Sequence, residues 1–297
     1  MPRTKSLRIA IIGAGRVGSA LAHLFRKNGH SIDSVVSRTT KSARRLARAV
    51  RSRQSSSTVS DLPQSVDCIV LATPDEAIGA VVTQLSALPD LSFKGLTVFH
   101  TSGSLTSDLL IPLEQKGATV FALHPVQTFP KRVSAVSQIP DMTGIWYGYE
   151  GSMKARPVAR RIVRELGGKI VFVPKEEKIL YHLACVFASN YPVVILAAAE
   201  SIVQEAGLRS LEPFEKLIEA SVRNAQKLGP AAALTGPLVR GSETILRRHL
   251  DELGKKRPDL LPLYKALGLF GLGIAARQGA LSDDDVNRLR GVFLKEP

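Results

Sequence analysis

Three side chains have the chemistry and the spacing to handle a proton. Lys178 and His182 are four residues apart, so they share one face if this stretch is a helix. His124 directly follows an apolar strand pattern and precedes a proline. Reduction of a carbonyl or imine needs a proton donor beside the accepting atom. All three are therefore candidate catalytic residues, although each could instead have only a structural role.

A glycine-rich turn follows the first apolar run and matches the pattern that binds a dinucleotide. It reads Gly13-Ala14-Gly15-Arg16-Val17-Gly18 and leads directly into a helical pattern. Gly13 permits a tight turn, Gly15 lets the backbone approach a pyrophosphate, and Gly18 lets the helix pack closely on the strand. The pyrophosphate would bind the free amides of the helix N-terminus. The strand before the turn and the helix after it are the context this fingerprint requires, so we predict a Rossmann-type cofactor site.

The end of the second strand pattern, over residues 32–36, favours NADP(H) over NAD(H). It is followed by Ser37-Arg38-Thr39, which offers no carboxylate to bind a ribose 2′-hydroxyl. Arg38 can fork around a 2′-phosphate, and the hydroxyls of Ser37 and Thr39 can donate to it. Arg38 could otherwise be one more member of a basic surface.

Further candidates follow other strand patterns. Ligands in doubly wound sheets lie beyond the carboxyl ends of the strands, so Thr73 and Pro74 are predicted to line the nicotinamide end of the site. Asp75, directly after them, could be a catalytic acid, but we expect it to cap the next helix. Ser102, which follows the strand pattern at 96–99, could bind substrate or cofactor, or cap a helix.

The second half of the chain adds Asn190 as a further catalytic candidate, and Ser189, Thr235 and Arg240 as candidates for binding substrate. Asn190 lies in an apolar stretch and needs a polar partner if it is buried, which a substrate or a carboxamide could supply. Arg240 could clamp a substrate carboxylate or simply lie at a rim.

The alternation of strand and helix patterns predicts a doubly wound parallel sheet, an α/β Rossmann domain over residues 1–174. After residue 174 only helix patterns remain, so residues 175–297 are predicted to form an all-helical domain. A serine-rich stretch at 52–60 is predicted to be a loop. The strand patterns cover residues 7–12, 32–36, 67–72, 96–99, 118–123, 144–149 and 169–173.

Composition limits the class of protein. The chain has 297 residues, 44% of them apolar, which suits a folded protein with two domains. No apolar run approaches the ~18 residues of a membrane span, and the N-terminus lacks a signal-peptide pattern, so we expect a cytoplasmic protein with no membrane partner. Cys68 and Cys185 are read as buried hydrophobes, with no disulfide and no metal site. The net charge of +14 favours anionic partners such as phosphates or small carboxylates.

A Rossmann domain followed by a helical domain resembles the superfamily of pyrroline-5-carboxylate reductase, ketopantoate reductase and prephenate dehydrogenase. The helical part is similar to the C-terminal domain of 6-phosphogluconate dehydrogenase. Three strings more closely resemble a bacterial family of Rossmann-like proteins whose C-terminal domain has no assigned function. They begin at His124, Tyr181 and Thr235 and read HPVQTF, YH followed by FASNY, and TGPLVRG.

The resemblance implies an NADP-linked oxidoreductase that dimerises through its helical domain, but it does not fix a substrate. Our leading hypothesis is the reduction of a small 2-oxo acid or imine, with ketopantoate as the specific guess because some members of the family are proposed to reduce it. In prephenate dehydrogenases a similar His-Pro string places a catalytic histidine near the substrate oxygen, although the residues after Pro125 depart from that family. In related dehydrogenases a lysine and an asparagine four residues later do the proton work. His182 stands where that asparagine would fall, four residues after Lys178. The loop at 235–241 partly matches the substrate loop of pyrroline-5-carboxylate reductases.

Two other functions stay open. The chain could be a non-catalytic NADP(H) sensor that binds partners through its helical domain. It could also bind nucleic acid through the basic run at 38–53, but that run lacks interleaved aromatic side chains, so we expect no nucleic-acid partner.

Overall fold

All seven predicted strands are present in one sheet of the computed structural model, which describes residues 6–130 and 141–295. The additional strand, β3, lies in the serine-rich stretch predicted to be a loop. That prediction is wrong because the stretch pairs in parallel with β2 at the sheet edge, where polar side chains can stay partly solvated. The strands are β1 Arg8–Ile12, β2 Ser31–Val36, β3 Gln54–Ser56, β4 Cys68–Leu71, β5 Thr97–His100, β6 Thr119–Pro125, β7 Trp146–Gly151 and β8 Lys169–Phe172.

The sheet has the order β3-β2-β1-β4-β5-β6-β7-β8 and is parallel from β3 to β6. This confirms the predicted doubly wound fold. β7 runs antiparallel to β6, and β8 runs parallel to β7, so the last two strands run in the opposite direction to β1–β6. The strand order reverses between β1 and β4, and the carboxyl ends of these two strands therefore flank the crevice where such sheets bind ligands.

Helices cover both faces of the sheet because alternate side chains of each strand point to opposite sides. Phe99 and Phe121 lie in the core of one face, and Val98 and Val120 lie in the core of the other. Between β5 and β6 the chain forms a 3₁₀ turn, Ser107–Leu110, followed by one short α-helix. The helices are α1 Arg16–Lys27, α2 Thr40–Val50, α3 Asp75–Ser86, α4 Ile111–Glu114, α5 Arg156–Glu165 and α6 Lys178–Glu205.

The described residues form two compact units, which divide at Asn190 and Tyr191, inside α6. The predicted boundary after residue 174 marks the end of the strands. The first unit continues into α6 because the beginning of this helix contacts the sheet, as Tyr181 does through a hydrogen bond to β6.

The second unit is helical, with an apolar core around Leu246, Leu272 and Phe293. Ser282 caps its last helix, with its side chain accepting from the Asp285 amide. Its further helices are α7 Glu215–Leu228, α8 Pro230–Ala233, α9 Glu243–Lys256, α10 Leu261–Arg277 and α11 Asp283–Leu294.

Two helical stretches, Lys178–Glu205 and Pro258–Arg277, are long and apolar enough to cross a membrane, by length and composition only. Core helices of soluble proteins meet the same criterion, so this is weak evidence. Both cysteines are free and lie in the first unit, Cys68 buried in β4 and Cys185 half-buried in α6. Residues 1–5, on which the expected absence of a leader depends, lie outside the described residues.

Candidate active site

The turn after β1 has the geometry that its glycines predict. Gly13 has a φ of +112°, and a Cβ there would overlap the main chain of Ala72 at the end of β4. A Cβ at Gly18 would overlap the Gly13 carbonyl, whereas one at Gly15 would have nothing within 4 Å. Gly15 precedes α1, and no side chain caps that helix. The turn is thus tightly packed at Gly13 and Gly18 but open at the helix N-terminus, where a pyrophosphate would bind.

The residues after β2 form the predicted 2′-phosphate site, which is open to solvent at Arg38. Arg38 is exposed and, within the described ranges, forms no hydrogen bond or ion pair. Ser37 is half-buried, and its amide donates to the Ser56 carbonyl of β3. Thr39 caps α2, accepting from the Ser42 amide at 3.2 Å and donating to the Ser42 hydroxyl at 3.0 Å. The Thr39 hydroxyl is therefore already engaged, while Arg38 is free to bind an anion.

Thr73 and Pro74 follow β4, across the crevice from the glycine turn. A Cβ at Gly13 would lie 2.9 Å from the Thr73 amide nitrogen, so the two loops are in contact. The Thr73 hydroxyl is buried and has no hydrogen-bond partner among the described residues. A buried hydroxyl without a partner is unfavourable unless a ligand supplies one. This unsatisfied hydroxyl and the open helix N-terminus both fit a dinucleotide.

The site beyond β5, β6 and β7 is built by strand register. His100, Ala122 and Glu150 are directly paired across the three strands and share one face of the sheet. Two residues further along β6, His124 lies on the same face, and its partner on β7 is Gly148. Since Ala122 and Gly148 are small, this face leaves room for the side chains at the beginning of α6.

Two glycines admit those side chains. A Cβ at Gly148 would overlap the Tyr181 hydroxyl. In the loop after β5, a Cβ at Gly103 would lie 2.7 Å from His182 Cδ2 and 3.0 Å from His124 Nε2. The beginning of α6 therefore places Tyr181 and His182 directly against His124.

His124 is held neutral by its surroundings. Its Nδ1 and the Tyr181 hydroxyl share a hydrogen bond of 2.9 Å, and the His182 ring centroid is 6.3 Å away. Burial, followed by the nearby His182 and Lys178, lowers the pKa of His124 to about 4. When the Tyr181 hydroxyl donates to Nδ1, the imidazole proton is on Nε2, the atom beside Gly103.

His100 is a second neutral imidazole below this group. It is completely buried, and its Nε2 donates to the Thr106 carbonyl at 3.1 Å. Burial is also the main reason why its pKa falls to about 4. The hydrogen bond to the loop after β5 gives His100 a structural role.

Lys178 is a buried cation at the start of α6, with only 2% of its side chain exposed. Its Nζ lies 3.5 Å from a carboxylate oxygen of Glu150, which is equally buried. The Ser107 amide and hydroxyl donate to the two oxygens of Glu150 at 2.7 and 2.8 Å. Burial lowers the pKa of Lys178 to about 8 although Glu150 opposes that shift. Lys178 is thus mainly protonated at neutral pH but close to its titration point.

Asp75 does not cap α3, and that prediction is wrong. Pro74 occupies the N-cap position, which leaves Asp75 as the first residue of the helix. Its Oδ2 instead accepts from the hydroxyls of Ser102 and Ser104 at 2.8 and 2.7 Å. Asp75 therefore fixes the loop that holds Gly103 against the two histidines. The Ser102 hydroxyl also accepts from the Leu105 amide, so this predicted substrate ligand is engaged in forming the loop.

The remaining predicted residues lie elsewhere. Asn190 is exposed at the end of the first unit, and the Ser189 hydroxyl donates to the Cys185 carbonyl at 2.7 Å. Thr235 and Arg240 belong to the second unit, where both are exposed. Their roles in substrate binding stay predictions. The described residues contain no group of three or more His, Cys, Asp or Glu side chains that could hold a metal ion.

Four further residues contribute to the site without having been predicted from the sequence: Tyr181, Glu150, Gly103 and Gly148. Tyr181 could have been found from the sequence because it directly precedes the candidate His182. Glu150 could also have been found, because it follows an apolar strand pattern and is the acidic residue that a buried lysine would need.

Comparisons with known proteins agree with this architecture. Residues 2–125 match a Rossmann-like domain, and residues 145–270 match a domain of unknown function, DUF2520. No curated protein matches the chain.

Several solved structures share the fold. A candidate NADP oxidoreductase from Bacteroides fragilis is 25% identical with a TM-score of 0.74, covering 89% of this chain and 96% of that one. A Thermotoga maritima protein is 24% identical with a TM-score of 0.68, covering 91% and 99%. An imine reductase from Myxococcus stipitatus in complex with NADP+ is 18% identical with a TM-score of 0.65, covering 97% and 100%.

The fold is thus that of nicotinamide-dependent oxidoreductases. The chain combines a Rossmann-like domain with a C-terminal region, from β7 onward, that matches DUF2520.

Proposed function

We propose that the chain is an NADPH-dependent oxidoreductase that reduces a small 2-oxo acid or imine, with ketopantoate as the first 2-oxo acid to test. One observation carries the proposal. The same edge of one sheet holds an open dinucleotide turn after β1 and, beyond β6, a buried Lys178 beside His124. Reduction of C=O or C=N needs both a nicotinamide and a proton source.

The cofactor would be held by residues on three strand ends. The glycine turn would bind the pyrophosphate, Arg38 the 2′-phosphate, and the Thr73 hydroxyl the nicotinamide end. NADPH supplies the hydride when bound. Because Arg38 is exposed and free while no acid follows β2, we infer a preference for NADP(H) over NAD(H).

The chain's own groups provide the proton. We assign it to Lys178 rather than to His182, because Lys178 is protonated at neutral pH yet has a pKa lowered to about 8 by burial. Glu150 fixes the ammonium, and neutral His124 can donate a hydrogen bond from Nε2 to the accepting oxygen or nitrogen. Arg240 remains our candidate for a substrate carboxylate, and we propose a cytoplasmic homodimer formed through the helical domain.

The direct test is NADPH oxidation, followed by absorbance, over a panel that includes ketopantoate and pyrroline-5-carboxylate. Lys178→Met should lower kcat about 100-fold or more with little change in NADPH affinity. Lys175→Met is the matched control, because Lys175 is half-exposed, pairs with Asp108 and should be dispensable. Lys178→Met/Glu150→Gln removes the carboxylate left unpaired in the single variant, so lost activity can be separated from lost stability.

Two results would contradict the proposal. NADPH binding without oxidation over the whole panel would favour the sensor function. Equal losses in Lys178→Met and Lys175→Met would remove Lys178 from the chemistry. Arg38→Asp tests the cofactor preference, since it should weaken NADPH far more than NADH.

A further inference from the structure

The charges around His124 limit the kind of group that can be reduced there. Asp75 and Glu150 are carboxylates, Lys178 is an ammonium, and His124 is neutral. His100 is also neutral. Even if His182 carries a proton, these described groups together have no net positive charge. The titratable groups that face His124 are Asp75 on α3, His100 on β5, Glu150 on β7, and Lys178, Tyr181 and His182 on α6.

The single ammonium of this cluster is already engaged. Lys178 pairs with Glu150, and both are almost completely buried, so the pair is largely self-neutralising. Asp75 acts on the Lys178 ammonium only at longer range, without forming an ion pair with it. Its Oδ2 accepts from two serine hydroxyls, and no cation lies within ion-pair distance of it in the ranges the structure describes. A neutral donor leaves the charge of a carboxylate in place, so Asp75 leaves the cluster with an unbalanced negative charge.

That charge acts close to the histidines. Ser102 and Ser104, which bind Asp75, flank Gly103, and Gly103 is in contact with His124 and His182. The half-buried position of Asp75 means that its field is screened less than that of a surface carboxylate. An anionic oxo-acid group entering here would be repelled, and a cation would be attracted.

We propose that the group reduced at this site is a protonated imine, an iminium, with Asp75 as its counter-ion. This inference rests on the proposed reductase function and narrows its substrate class. In the reduction, hydride adds to the iminium carbon and the C=N π pair moves to nitrogen, which gives a neutral amine and oxidised NADP+. No proton is transferred in that step. Lys178 instead protonates a neutral imine before reduction, and this step creates the cation that Asp75 stabilises.

The test compares pyrroline, a cyclic imine, with ketopantoate in the NADPH oxidation assay. We expect kcat/KM to be about tenfold or more higher for pyrroline. Asp75→Asn keeps an oxygen that can accept from both serines but removes the charge. It should lower kcat/KM for pyrroline about tenfold more than it lowers that for ketopantoate. Asp90→Asn is the control, because Asp90 is an exposed carboxylate of the same unit.

A second readout does not depend on turnover. Pyrrolidine, which is cationic at neutral pH, should bind the NADP+ complex about tenfold more weakly in Asp75→Asn than in the wild type. Faster reduction of ketopantoate than of pyrroline, or equal effects of Asp75→Asn on both substrates, would overturn the inference but not the reductase. No NADPH oxidation with either substrate would overturn both.

Discussion

Burial sets the protonation state of each titratable group in the site. His100 and His124 are side chains that would titrate near neutrality in water, yet both have a pKa of about 4 here, mainly because burial penalises the cation. Lys178 is shifted in the same sense, to a pKa of about 8. The site thus holds neutral imidazoles beside an ammonium that can release its proton, which are the states that a reduction at neutral pH needs.

The two histidines make the fold sensitive to acid. Between about pH 6.5 and pH 4 the unfolded chain binds protons on His100 and His124 that the folded chain does not bind, so stability falls as the pH falls. Together they contribute a slope of up to about 2.7 kcal/mol per pH unit. His124→Gln should reduce that slope by up to about 1.4 kcal/mol per pH unit, measured by urea unfolding at several pH values. An unchanged slope would show that His124 is not held neutral.

The elements of the site could be predicted from the sequence, but several of its contacts could not. His124 and Lys178 were found because a strand end and a helix start are local patterns. The bond between His124 and Tyr181 joins residues 57 positions apart, and only the antiparallel register of β7 explains why Gly148 leaves space for it. The hydrogen bonds to Asp75 could not be predicted for the same reason, because the serines that donate them follow another strand, β5.

Gly148 of β7 is predicted to be essential for the packing of Tyr181 against His124. Gly148→Ala should lower the free energy of unfolding by about 1–3 kcal/mol, because its methyl group would overlap the Tyr181 hydroxyl. It should also lower kcat by displacing the partner of His124. Gly79→Ala is the control, since Gly79 lies in α3 with nothing within 4 Å of the added Cβ. Thermal unfolding measures the stability of the two variants, and equal stability would contradict the packing argument.

At the scale of the whole molecule, α6 exposes more apolar surface than a monomer usually leaves in water. In the first unit Ile179 and Leu180 are 66% and 61% exposed, and in the second unit Val193 and Val194 are 65% and 53% exposed. A second copy of the chain or a lipid bilayer could cover such a helix. The proposed homodimer accounts for this exposed apolar surface by covering it with a second copy.

The homodimer can be tested by placing a charge on this surface. Val193→Glu should convert a dimer into a monomer in sedimentation velocity, because an unpaired carboxylate at an apolar interface is strongly unfavourable. Met153→Glu is the matched control, since Met153 is 68% exposed in the first unit but outside α6, and it should remain dimeric. A wild-type monomer, or a dimer that Val193→Glu leaves intact, would contradict the proposal. If the wild type gives a defined sedimenting species only after detergent is added, that result would instead indicate that a bilayer covers α6.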